Sequence, residues 1–224
     1  MSISTLEEIS CLCGEVFEVE LLSAISVGDN PELKEALISG EINLAICPKC
    51  GQMFYAECFI LYHDSKSELI AFVYPLSFQT QAAQCREKMY AEFSKAIANF
   101  EESEKKKINY EPLLIFGMED LVLLLKAEQE LEDEEMILAR LAPALSLSVL
   151  KFAPALARKF SIPKVLPALK NAQGEADASS ICEALKIVLK HNPNLTNYSK
   201  LYEKLSNNKN ALDKAIINGG KKRS

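Results

Sequence analysis

The chain has 224 residues, of which 49% are hydrophobic, and it carries a formal charge of −6 with a pI of about 5.2. This apolar content is too high for a disordered chain and indicates one large domain or two small ones. The acidic balance argues against binding nucleic acid through bulk electrostatics, so we expect no nucleic-acid partner.

Neither a secretory signal nor a membrane span is predicted. The first ten residues, MSISTLEEIS, lack the basic and apolar segments of a signal peptide. The apolar run at 141–150 ends at Lys151, well short of the roughly 20 residues that a spanning helix needs. We therefore expect a cytoplasmic protein, for which contact with a membrane surface is the less favoured interpretation.

Residues 1–76 are predicted to form a β-rich module. Residues 31–40 interrupt it with a short helix, because a proline begins the segment and a glycine ends it. Strands are predicted from alternation or from β-branched and aromatic content at 16–27, 42–46, 53–63 and 69–75.

From residue 77 the hydrophobic period becomes that of a helix. Residues 78–107 place their apolar side chains on one stripe, which predicts one long amphipathic helix. Residues 109–117, with a proline and a glycine, are predicted to be a connector. A second helix is predicted from Met118, since acids occupy its first turn.

The segment 141–224 is predicted to be an all-α region. Its prolines should divide the first part into short helical pieces, and a final pair of helices is predicted at 178–191 and 197–218. The apolar residues of 141–160 are interpreted as a core helix, with a groove-docking or membrane-surface element as the alternative.

Charge is distributed unevenly along the chain. Acidic residues crowd 101–135, whereas 136–174 contain basic residues and no acid. Such blocks favour contact between the two segments, or with a partner, over two independently solvated faces.

Two short cysteine motifs, CLCG at 11–14 and CPKCG at 47–51, carry the clearest chemistry. Tetrahedral zinc needs four ligands, and two tight turns that each offer two thiolates supply them with little chain. Gly14 and Gly51 permit the necessary bends. We therefore predict a structural zinc ion whose ligands are Cys11, Cys13, Cys47 and Cys50.

Other interpretations of these cysteines stay open. The total of seven cysteines is odd and no signal peptide precedes them, which disfavours a disulfide framework. Four buried free thiols or two local disulfides are the structural alternatives. The sequence CPKC also resembles the dithiol of thioredoxin-like enzymes, although a strand is predicted to follow it. The two motifs together are similar to the zinc centre of a redox-regulated chaperone, so a thiol-based redox sensor is the alternative function.

The remaining candidates receive structural interpretations. His63 and Asp64 are assigned to a hairpin turn, which an Asp side chain stabilises, and His191 to a helix end. Free cysteine is among the most buried residue types. The core is therefore the assignment of the other cysteines, Cys58, Cys85 and Cys182. No catalytic or cofactor-binding residue is predicted, so we expect no enzyme.

Several segments resemble the CpXC domain family, over roughly residues 5–140. They are CLCG, NPELKEALISGEINLAICPKCGQ, LYHD and IFGMEDLVLLLKAEQELEDEE. The resemblance implies a metal-ribbon-like module of mostly prokaryotic proteins without an assigned activity, and it implies the same four cysteines as ligands.

The sequence thus predicts an α+β chain with three parts. These are a zinc-ribbon-like β-module at 1–76 with an inserted helix, a helical extension at 77–140, and a helical region at 141–224. The predicted function is a non-enzymatic, zinc-stabilised interaction module. It would bind a protein partner through the edge of the β-module and the helical region, and a homo-oligomer is compatible with this function.

Overall fold

The computed structural model describes residues 2–98, 108–169 and 177–207. The chain is α+β, as the sequence predicts, and it divides into two compact units, Met1–Lys126 and Ala127–Ser224. None of the helices in the described ranges combines the length and apolar character that crossing a bilayer requires.

Two sheets make up the β-structure of the first unit. Strands β1, β2, β5, β6 and β7 form a five-stranded sheet in that order, and β3 and β4 form a separate two-stranded sheet. In the larger sheet β2 runs parallel to β5, and β6 runs parallel to β7. The strands are β1 (Ile3–Ser10), β2 (Val16–Ser26), β3 (Leu44–Ile46), β4 (Met53–Tyr55), β5 (Ile60–Asp64), β6 (Leu69–Tyr74) and β7 (Leu113–Phe116).

One apolar core joins the larger sheet to helices α1 (Glu32–Ser39) and α3 (Met118–Ala144). Tyr62 of β5 and Leu37 of α1 are fully buried in it. Helix α1 ends where the sequence predicts, because Gly40 adopts the left-handed conformation (φ 80°) that terminates helices. The other buried members of this core are Ile25, Val27, Ile42, Ile60, Leu69, Ala71, Val73, Leu121 and Leu125.

The long helix predicted at 78–107 is present as α2 (Ala82–Ala98), after a short 3₁₀ turn at Leu76–Gln81. Cys85 and Met89 of the predicted stripe are buried. The remainder of the predicted helix, 99–107, lies outside the described residues.

Two predictions about the strands are wrong. The single strand predicted at 53–63 is divided into β4 and β5, because the chain leaves one sheet after Tyr55 and joins the other at Ile60. The connector predicted at 109–117 contains β7, which pairs with β6 from Ala71↔Leu113 onward. The partner strand of each segment is distant in sequence, so local patterns do not reveal these pairings.

The prediction that 141–224 is all-α is also wrong. The second unit contains strands β8 (Ser148–Lys151) and β9 (Val165–Ala168), which pair as an antiparallel two-stranded sheet. A short apolar run fits a strand as well as a helix, and here the prolines limit each element to a few residues. The helices of this unit, besides the part of α3 that it includes, are α4 (Pro154–Phe160), α5 (Ala178–His191) and α6 (Thr196–Asn207).

The apolar residues of 141–160 pack against the core of the second unit, as the preferred interpretation expected. They lie on α3, β8 and α4 and in the turns between these elements, rather than on one helix. The final helix predicted at 197–218 is present as α6, and residues 208–218 lie outside the described part of the chain. Residues that contact this core are Leu141, Leu145, Val149, Leu150, Phe152 and Phe160.

The predicted contact between the acidic and basic segments is confirmed. Glu128 of α3 accepts a hydrogen bond from Arg158 Nε at 2.6 Å. Lys164 Nζ lies 3.4 Å from Glu132 and 3.3 Å from Glu135. The acidic face of α3 therefore holds α4 and the segment before β9.

Glu134 caps helix α6 from a distant part of the sequence. Its carboxylate accepts hydrogen bonds from Thr196 Oγ1 at 2.8 Å and from the Asn197 backbone N–H at 3.0 Å. A side chain of α3 thus satisfies N–H groups that the first turn of a helix leaves without an intrahelical acceptor.

We predict that Glu134→Ala lowers the free energy of unfolding of the second unit by about 1–2 kcal/mol, because the partly exposed first turn of α6 loses a charged cap. Glu130→Ala, at an exposed position of the same helix, should change it by less than about 0.5 kcal/mol. Urea unfolding measures both, and hydrogen exchange at Asn197 locates the effect. Equal losses in the two variants would contradict the capping role.

Candidate metal centre

Cys11 and Cys13 lie in the turn that joins β1 to β2. The Cys11 N–H donates to the Glu15 carbonyl at 2.8 Å, and the Gly14 N–H donates to the Cys11 carbonyl at 2.9 Å. Gly14 has φ of 86°, in the region that favours glycine. The turn supplies the bend that two cysteines only one residue apart require.

Cys47 and Cys50 lie in the corresponding turn between β3 and β4. The Cys47 N–H donates to the Gln52 carbonyl at 3.0 Å, and the Gly51 N–H donates to the Cys47 carbonyl at 2.9 Å. Gly51 has φ of 72°. Each motif is therefore a tight turn closed by a left-handed glycine, at the tip of a hairpin.

The four sulfur atoms converge between the two hairpin tips. All lie within 4.8 Å of one another, and the cysteines are free thiols. The Cys11 and Cys50 sulfurs are 3.6 Å apart, and those of Cys13 and Cys47 are 3.7 Å apart. A disulfide would need about 2.05 Å, whereas four thiolates bound tetrahedrally at about 2.3 Å lie about 3.8 Å apart. The cluster can therefore hold a metal ion.

The sulfurs differ in exposure and in proton affinity. Cys11 and Cys47 are buried, whereas Cys13 and Cys50 are exposed, so the site is open on one side. Burial opposes ionisation of Cys47, but the N–H groups of Cys50 and Lys49 outweigh it and lower its pKa to about 7. At Cys11 a hydrogen bond from the Cys13 N–H favours the thiolate, but burial and the neighbouring thiols prevail and raise its pKa to about 12.

A small apolar cluster lies between the hairpins. The rings of Phe17 of β2 and Phe54 of β4 pack edge to face, with 6.3 Å between their centroids. Three residues of this cluster are buried: Leu21, Ala45 and Ala56. The salt bridge between Lys49 and Glu15, at 3.2 Å, links the two turns, but its exposure limits its contribution.

Sequence reasoning missed one residue of this region, Asn43. Its side chain hydrogen-bonds both the N–H and the carbonyl of Leu22 in β2. The available sequence signal was a polar residue inside the otherwise apolar segment INLAI. The structure shows that this residue is buried.

The other polar candidates have structural roles in the described residues. Asp64 is buried and accepts hydrogen bonds from the Ser67 hydroxyl at 2.7 Å and from the Lys66 N–H at 3.0 Å, as predicted for a turn. His63 Nε2 lies 3.4 Å from the Tyr110 hydroxyl. His191 Nδ1 donates to the Ile187 carbonyl at 2.9 Å, at the end of α5 as predicted.

The remaining cysteines differ in burial. Cys85 is buried, as predicted, whereas Cys58 and Cys182 are half-buried. Burial, with a smaller effect of Glu7, raises the pKa of Cys58 to about 11, so its thiol stays protonated at neutral pH.

The fold and the four-thiol cluster define an α+β protein with a candidate metal-binding module in its first unit. The family model described as CpXC protein matches residues 9–140, a range that includes both cysteine motifs. Because this match spans more than half of the sequence, the chain belongs to the CpXC family, which confirms the resemblance found in the sequence. Neither a curated protein nor a solved structure matches the chain.

Proposed function

We propose that the first unit binds one structural zinc ion through Cys11, Cys13, Cys47 and Cys50. The observation that supports this most directly is the convergence of the four sulfurs within 4.8 Å of one another, with Cys11–Cys50 at 3.6 Å and Cys13–Cys47 at 3.7 Å. Soft thiolates in a tetrahedral set suit zinc, whereas magnesium and calcium prefer oxygen ligands. Iron–sulfur chemistry is the other use of four thiolates, and metal analysis separates the two.

A structural rather than catalytic ion follows from the ligand count. Four thiolates complete a tetrahedral shell, so no coordination position is left for water or substrate. The ion would join two hairpins that otherwise meet through a small apolar cluster, an exposed salt bridge and the contact of Asn43 with Leu22. An isolated two-stranded hairpin such as β3–β4 is marginally stable at best, so the metal would supply free energy that burial does not. On this basis we propose a non-enzymatic module.

We predict one zinc per chain, measured by elemental analysis of protein purified without a chelator. Cys13→Ser and Cys50→Ser should each weaken zinc binding at least about 100-fold, because each removes a ligand. Both positions are exposed, so neither change leaves a core cavity. Cys182→Ser, in the second unit, is the control and should retain the metal. A wild-type protein without stoichiometric zinc would contradict the proposal.

A redox sensor is the second candidate, and two observations favour it. Cys13 and Cys50 are exposed to oxidants, and two sulfur contacts, Cys11–Cys50 at 3.6 Å and Cys13–Cys47 at 3.7 Å, join cysteines of different hairpins. Peroxide would take one electron from each of two thiolates and two protons from solvent. The products would be one disulfide, two water molecules and a released zinc ion.

For a sensor, one equivalent of peroxide should release zinc within minutes and form the bond Cys11–Cys50 or Cys13–Cys47. Zinc release is followed with a chromogenic chelator, and peptide mapping identifies the disulfide. A reductant should restore zinc binding. Zinc that stays bound under a large excess of peroxide would rule out the sensor and leave the structural role.

We also propose that the outer face of the β3–β4 hairpin binds a protein partner. Its cross-strand pairs Leu44↔Tyr55 and Ile46↔Met53 place four apolar or aromatic side chains on one face, each 40–62% exposed. These residues flank the second cysteine motif, so metal binding would fix the shape of the surface. The apolar side chains of 141–160 pack in the core of the second unit. We therefore assign the partner surface to the β3–β4 hairpin rather than to the helical region.

The partner is tested by comparing complexes formed in the native host. A protein bound through the hairpin should be lost from both Ile46→Glu and Met53→Glu. It should be retained by Leu6→Glu, which alters an equally exposed apolar residue of β1. A second copy of the chain is one outcome, detected as a dimer by sedimentation. The same set of complexes in all variants would reject this surface.

A further inference from the structure

Asn43 occupies an unusual position between α1 and β3. It is 8% exposed, and its backbone has φ of 56°, in the left-handed region that few residues other than glycine adopt. Asn tolerates this conformation better than most residues do. A buried polar residue in such a conformation requires specific hydrogen-bond partners.

The side chain of Asn43 pairs with the backbone of β2, as a neighbouring strand would. The Leu22 N–H donates to Asn43 Oδ1 at 2.8 Å, and Asn43 Nδ2 donates to the Leu22 carbonyl at 3.1 Å. The carboxamide therefore makes with β2 the pair of hydrogen bonds that a peptide group of an adjacent strand would make. Nδ2 also lies 3.3 Å from the Cys58 sulfur.

The backbone of Asn43 belongs to the hairpin that carries the second cysteine motif. Its carbonyl accepts a hydrogen bond from the Ala56 N–H at 2.9 Å, which closes the base of the hairpin beyond Leu44↔Tyr55. One residue thus joins the base of the β3–β4 hairpin to β2, and β2 leads back to the first cysteine motif.

This connection matters because the two sheets are separate. Among the described residues no strand pairing joins β3 or β4 to β2. The hairpins therefore meet at their tips through the cysteines, in the middle through Phe17 and Phe54, and at the base through Asn43. Asn43 lies four residues before Cys47, about 13 Å along an extended strand. A small tilt at the base would displace the sulfurs by more than the roughly 0.2 Å that a metal site tolerates.

We propose that Asn43 is a positioning residue of the metal centre, which sets the angle between the two hairpins so that their four sulfurs converge. The inference rests on the proposed zinc site. Asn43 touches no ligand, and it acts through the main chain of β2 and β3.

Two substitutions remove the contact by different routes. Asn43→Gly keeps the left-handed backbone without strain, so only the carboxamide is lost. Asn43→Asp keeps the shape of the side chain but replaces the donor beside the Leu22 carbonyl with an acceptor. Val73→Ala is the control, because Val73 is buried in the main core of the same unit and is not part of either hairpin.

Zinc affinity is measured by competition with a chromogenic chelator, and thermal stability is measured on the same full-length variants. We expect Asn43→Gly and Asn43→Asp to weaken zinc binding on the order of 10- to 100-fold, as loss of a ligand-orienting partner does. Val73→Ala should lower the melting temperature but change zinc affinity less than about threefold. Hydrogen exchange at the Leu22 amide should accelerate in the Asn43 variants alone.

The outcomes separate the inference from the function on which it rests. If the wild-type chain binds no zinc, both the proposed zinc site and the positioning role of Asn43 are rejected. Normal zinc affinity in either Asn43 variant overturns the positioning role and leaves the zinc site intact. Equal losses of affinity in the Asn43 variants and in Val73→Ala show a general effect of stability and also overturn it.

Discussion

The convergence of four sulfur atoms between two hairpin tips is the constraint that places the β3–β4 hairpin against the main sheet of the first unit. The β3–β4 hairpin has strands of three residues each and belongs to a sheet of its own. Such a hairpin does not persist in water without support. It is supported by a small apolar cluster, by the hydrogen bonds of the Asn43 carboxamide to β2, and by the cysteine cluster at its tip.

The first unit therefore combines two kinds of stabilisation. The larger sheet buries one face against α1 and α3 in a continuous apolar core, and this part needs only the hydrophobic effect. The β3–β4 hairpin lies outside that sheet and contacts β2 through a small apolar cluster, the Asn43 carboxamide and the cysteine cluster. If the proposed zinc ion is bound, its removal would loosen the β3–β4 hairpin and the exposed apolar face that it carries, while the main core persists.

In the second unit, ion pairs and charged hydrogen bonds position the elements around α3. The acidic face of α3 binds Arg158 and Lys164, and Glu134 caps α6. These contacts are partly shielded from water, so they orient the surrounding elements more effectively than exposed ion pairs do. The uneven distribution of charge along the sequence reflects these contacts, because the acidic and the basic partners lie in different segments.

The sequence by itself determined the features that depend on neighbouring residues, namely the two cysteine turns with their glycines and helix α1 with its stop at Gly40. Its charge blocks favoured a contact between distant segments or with a partner, and the tertiary structure decided which residues pair. It also identified the four cysteines that the structure brings together. The tertiary structure alone decided that β7 joins the main sheet, that β8 and β9 pair as a two-stranded sheet, and that Asn43 binds β2. A strand or a buried amide acquires its role from a partner distant in sequence, so the local pattern carries no record of the pairing.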